Sequence, residues 1–118
     1  MDTPAAATAY ALGDKIKSGL IWASALVEQT LMMPPGPKTG AEQVLIQLME
    51  MIANDLHVSK RRAPHPSWDT AEKELDLAIV MARSGVVMES TYHLTRALSH
   101  VTEVAREGMA TLKKKGLI

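Results

Sequence analysis

The stretch IKSGLIWASALVEQTLMMPPGP, Ile16 to Pro37, decides how the chain is divided. Ile16, Leu20, Ala23, Val27 and Leu31, with Leu12 one turn earlier, recur at spacings of three and four. That spacing puts them on one face of a helix over about residues 5–33. Pro34, Pro35 and Pro37 then remove backbone donors and fix φ, so this helix cannot run on. Trp22 lies just off the apolar stripe and is expected at the rim of the core.

Three more helices follow from the same reasoning. The second, over about residues 41–62, carries Leu45, Leu48, Ile52 and Leu56 on one face, broadened by Val44, Met49 and Met51. It ends in Lys60-Arg61-Arg62, where positive charge opposes the negative end of the helix dipole and contributes about 0.3–1 kcal/mol per residue at a surface. Pro64 and Pro66 break the chain, and Ser67 or Asp69 is placed to cap a third helix over about 68–84. In that helix Trp68, Ala71, Leu75, Ala78 and Ala82 share a face, and Leu77 to Ala82 is apolar almost all round. Gly85 supplies a left-handed stop. The fourth helix, about 86–114, places Val87, Thr91, Leu94, Leu98, Val101, Ala105, Met109 and Leu112 on one stripe. Glu89, His93, Arg96, His100, Glu103 and Glu107 form a second stripe, expected to face solvent.

Four helices with short breaks predict an all-α, antiparallel up-down-up-down four-helix bundle spanning residues 1–118 as one domain. A chain of 118 residues is long enough for one core that buries roughly 65% of its unfolded surface. In such a bundle the second and fourth helices run toward the same end, so Lys60, Arg61 and Arg62 are expected near Lys113, Lys114 and Lys115. Lys and Arg total 13 and Asp and Glu total 13, so any polyanion must be recognised by such a local patch, since no overall field attracts it.

Cysteine is absent, which removes disulfides, thiolate nucleophiles and zinc–thiolate sites and points to a reducing, cytoplasmic setting. No basic segment leads into a long apolar run at the amino terminus, and no apolar stretch reaches the roughly 18 residues of a spanning helix. The expectation is a soluble chain with no signal peptide and no membrane partner. Tyr10, Trp22, Trp68 and Tyr92 are the only aromatic residues, too few for a base-stacking platform. The eight Met residues suit gaps between helices.

The sequence offers no conventional catalytic set. A ferritin-like metal site needs Glu-x-x-His on two helices, and here His100 and Glu103 stand in the reverse order, so neither metal nor cofactor is expected. His57 and His65 are read as solvent-facing or loop residues. Arg96-x-x-x-His100 resembles the Arg-His pair of HEPN-type helical ribonucleases, one residue short of their spacing, and makes that activity the alternative reading. A purely structural interaction bundle is a second alternative.

The segment AEKELDLAIVMARSGVVMESTYHLTRALSHVTEVAREG, Ala71 to Gly108, resembles the accessory variability determinant proteins of diversity-generating retroelements. It is also similar to the four-helix proteins encoded in ribosomal RNA intervening sequences. The likeness covers about residues 25–112. Pro37-Lys38 matches the turn before their second helix, Ala71, Glu74 and Leu75 match an Ala-x-x-Glu-Leu pattern, and Tyr92 and Glu103-Val104-Ala105-Arg106 match the fourth helix. Ala105 stands where those proteins have Gly, Met109 to Thr111 replace a Gly-Gly-Trp-like segment, and the Phe before the Pro-Lys turn is absent. The resemblance implies a four-helix bundle, assembly into a pentameric barrel, and a reverse transcriptase and its RNA as partners. The combined expectation is a nonenzymatic adaptor that self-associates and contacts RNA or an acidic partner through Lys60, Arg61, Arg62, Lys113, Lys114 and Lys115.

Overall fold

The computed structural model describes residues 1–118 and contains α1 (Thr3–Leu31), α2 (Pro35–Arg62), α3 (Pro66–Arg83) and α4 (Val87–Lys114), with no strand. Each connection is only three residues long, 32–34, 63–65 and 84–86, which forces successive helices to be antiparallel neighbours. Contacts join α1 to α2, α2 to α3, α3 to α4 and α4 back to α1. The result is an up-down-up-down four-helix bundle, 53 Å long and 22 by 18 Å across. α4 packs extensively against both α1 and α3, whereas α2 is held more loosely.

The proline clusters begin helices as well as ending them. α1 starts at the Asp2 cap, whose carboxylate accepts the Ala5 amide at 2.8 Å, and stops at Leu31, ahead of Pro34. α2 begins at Pro35, earlier than expected, because Pro35 and Pro37 fall in its first turn, where amide donors have no intrahelical acceptor and a fixed φ already suits the helix. Pro66 opens α3 in the same way. Beyond α3, Gly85 adopts φ +83°. Its amide donates to Ala82 O at 3.2 Å and that of Val86 to Met81 O at 3.0 Å, which satisfies the last carbonyls of the helix.

Trp68 is the largest fully buried side chain and the rest of the core is aliphatic, including Ile16, Leu20, Leu45, Met49, Leu56, Leu75 and Leu94. Two expectations about burial change. Trp22 is 65% exposed rather than at the rim of the core. On α4 the fully buried line runs Val87, Ser90, Leu94, Ala97, Val101, Val104, Gly108 and Leu112, so Thr91, Leu98, Ala105 and Met109 sit half-buried at its edge. The rotation follows from small residues: Gly108 of α4 lies against the backbone of Ala6 and Tyr10, and Gly13 of α1 against Ala105.

Candidate functional site

One end of the bundle gathers the carboxyl ends of α2 and α4 with the amino ends of α1 and α3. Lys60 of α2 contacts Asp69 at 2.7 Å and Glu72 at 3.2 Å on α3, His65 contacts Glu107 of α4 at 2.6 Å, and Lys115 donates to Thr3 Oγ1 at 2.7 Å. The six basic residues singled out in the sequence therefore share this pole, but in different roles. Lys60 is occupied by Asp69 and Glu72, whose hydrogen bonds, with that of Asp69 the larger, raise its pKa above the ordinary lysine value. Lys115 is engaged with Thr3. Arg61, Arg62, Lys113 and Lys114 are exposed and enter none of the bundle's ion pairs.

The turn that presents Arg61 and Arg62 is fixed from beneath. The indole Nε1 of Trp68 donates to Ala63 O at 2.9 Å, a buried bond. His65, not Ser67 or Asp69, caps α3: its Nδ1 accepts the Ser67 amide at 3.0 Å. A backbone amide only donates, so the neutral ring carries its proton on Nε2 and donates it to Glu107. His65 is thus a structural capping residue tying α3 to α4, while His57 is exposed and 3.6 Å from Glu72. Ser67 Oγ adds a bond of 3.4 Å to Glu103.

The second stripe of α4 is a docking edge for α3 as well as a solvated surface. Glu74 of α3 is only 8% exposed; it accepts from His93 Nδ1 at 2.8 Å and from Arg96 Nε at 3.0 Å. Arg96 also reaches the Tyr92 hydroxyl at 3.3 Å and lies over its ring. The hydrogen bond from His93 holds the Glu74 carboxyl below its ordinary value of 4.5; loss of water pushes it up, and Arg96 pushes it down again. Arg96 is raised in turn, chiefly by Glu74. Arg96 of the Arg-His pair is therefore engaged in packing, and His100, one turn further on, is half-buried.

This pairing has a pH signature. Because Glu74 is depressed in the folded state, its contribution is fully present above pH ~4.5 and is lost as pH falls through the lower folded value. In urea titrations below pH ~4.5, wild type should lose stability more steeply than Glu74→Gln, which has no carboxylate to protonate. Equal slopes would mean that Glu74 is not held by its partners in solution.

Three shallow grooves line the bundle: between α1 and α4 around Tyr10, Lys17 and Arg106, between α1 and α2 around Gly19 and Trp22, and at the opposite end around Leu31 and Val86. No three His, Asp or Glu side chains are grouped to hold a metal ion, and no helix is long and apolar enough to cross a membrane. The chain matches no protein-family model, no curated protein and no solved structure.

Proposed function

We propose that the protein is a nonenzymatic, self-associating adaptor whose basic pole binds RNA. The observation that carries this reading is the set of four exposed cations, Arg61, Arg62, Lys113 and Lys114, drawn from two distant segments to one end of a chain with no net charge. The alternative for such residues, dipole pairing at the ends of α2 and α4, accounts for charge at each helix end. It gives no reason for the hydrogen-bonded α2–α3 turn, in which Trp68 bonds to Ala63 beside Arg61 and Arg62 and His65 caps α3. The resemblance of Ala71 to Gly108 to accessory variability determinant proteins extends the proposal to an accessory subunit of a retroelement reverse transcriptase.

Salt-titrated binding of a short single-stranded RNA tests the pole. The paired substitutions Arg61→Gln with Arg62→Gln, and Lys113→Gln with Lys114→Gln, should each lower the log–log salt slope by up to about 1.4, at roughly 0.7 per phosphate contact. Lys60→Gln should change the slope little, because Lys60 faces Asp69 and Glu72. Equal slopes in wild type and both paired variants would reduce the cluster to solvated helix ends. The RNA should be recovered uncut; cleavage that disappears in Arg96→Ala and His100→Ala would make the protein a ribonuclease instead.

A further inference from the structure

Trp22 is 65% exposed, and Leu26, Val44 and Met51 beside it are 44%, 69% and 65% exposed. By helical spacing Trp22 and Leu26 lie on the edge of α1 that faces α2, and Val44, Leu48 and Met51 on the edge of α2 that faces α1. Between them runs a groove of about 390 Å³ lined by Ile16, Gly19, Leu48, Met51 and Ile52 among others. Together the four side chains expose on the order of 400 Å² of apolar surface, within the range of the largest patch on a typical monomer and characteristic of a binding face.

The chemistry of the face restricts its occupant. From Lys15 to Val27 the only other charged residue on α1 is Lys17, which lines the groove on the α4 side. Lys15 itself is neutralised by Asp55 at 2.9 Å, and Glu50, the one charge on α2 between Glu42 and Asp55, is bonded to Arg83 of α3. Nucleic acid or an anionic membrane would find no free cation here, and a charged peptide no counter-charge. What remains is a neutral, apolar face depleted in charge and rich in Trp, Met and Leu, the composition of a protein–protein interface core.

The face also fits itself. Trp22 is a protruding knob, and the groove beside it, with Gly19 and Ile52 packed together in its wall, is a concavity on the same face. A two-fold axis passing between them lays a second α1 antiparallel to the first and sets each indole over the other copy's groove, as isologous contacts require. The amides of Gln29, Gln47 and Asn54 on the rim donate and accept alike, so they suit a copy of themselves. With this rim, the four apolar side chains supply about half of the roughly 800 Å² per partner of a standard interface. We propose that a second copy of this chain docks here, giving a two-fold dimer centred on Trp22 and the groove beside it.

The dimer rests on the self-associating reading above and specifies its surface. Sedimentation equilibrium should find wild type as a dimer, and Trp22→Glu should weaken it by at least ~100-fold, since a central Trp is lost twice across the axis. Met51→Lys should do the same independently. Val80→Glu, at an exposed site on α3, should leave the dimer intact, with helicity unchanged in all three by circular dichroism. A wild-type monomer at high micromolar concentration, a larger closed assembly, or a dimer indifferent to both Trp22→Glu and Met51→Lys would overturn the proposal. RNA binding is measured on the same proteins: intact binding by a monomeric wild type defeats the dimer and the self-association it rests on while leaving the basic pole standing, whereas dimers that bind no RNA support this surface and defeat the basic-pole reading.

Discussion

Trp68→Ala should destabilise the bundle by about 3–5 kcal/mol, the loss typical of a buried aromatic truncated in a packed core. The side chain is fully buried and is the only aromatic group in the core, so no neighbouring ring can fill the space. The change also leaves the buried Ala63 carbonyl without the indole donor at 2.9 Å, a desolvated acceptor with no replacement. Against the 5–15 kcal/mol of a typical domain, this removes about a fifth or more of the total. Urea unfolding followed by far-ultraviolet circular dichroism measures it. Trp68→Phe separates the two contributions, since it keeps most of the volume and should cost about 1–2 kcal/mol through the missing bond. If Trp68→Ala costs under ~1 kcal/mol, the indole does not hold the α2–α3 turn.

Gly108→Leu should cost about 3 kcal/mol, at the upper end of overpacking losses. A Cβ on Gly108 would stand 2.7 Å from Ala6 O and 2.9 Å from Tyr10 N. Both are backbone atoms inside α1, so relief requires moving a whole helix rather than turning a rotamer. The contrast is Gly40→Ala. Gly40 also lies within a helix, but a Cβ there meets nothing within 4 Å, and the better helix former should add about 0.5–1 kcal/mol. Thermal unfolding should therefore move in opposite directions for the two substitutions, by roughly 4 °C per kcal/mol. A Gly108→Leu protein as stable as wild type would mean that α1 and α4 do not approach this closely.

The same glycines show which parts of the structure were legible in the sequence. Four helices, their antiparallel order and the Gly85 stop follow from apolar residues recurring at helical spacing around Leu20, Leu45, Leu75 and Leu94, between proline or glycine breaks. The turn of α4 about its own axis did not follow. Apolar periodicity favours Ala105 and Met109 over Val104 and Gly108, because a glycine carries no hydrophobic weight even where two backbones meet. A glycine retained inside a helix, at a cost of about 1 kcal/mol relative to alanine, was the available signal. Glu74 was similarly readable in principle, since it stands between Ala71 and Ala78 on the buried face of α3. A carboxylate there must find donors, and His93 and Arg96 are those donors. Which basic residues at the pole remain free depended on side-chain partners: Lys60 and Arg61 are adjacent in sequence, yet only Lys60 points at Asp69.

The chain's two tryptophans also divide its optical signals. Trp68 is sealed in the core and Trp22 stands in water, so their emission starts from opposite environments and they report different events. In a Trp22→Phe protein all indole fluorescence comes from Trp68, and its shift to longer wavelength marks the loss of the core. In a Trp68→Phe protein it comes from Trp22, which begins red-shifted and has little further to move on unfolding. It can shift markedly only toward the blue, when another surface covers it. Folding and association are thereby observable on separate residues without an added dye, and a blue shift of Trp22 with rising protein concentration would follow docking of the second copy in real time.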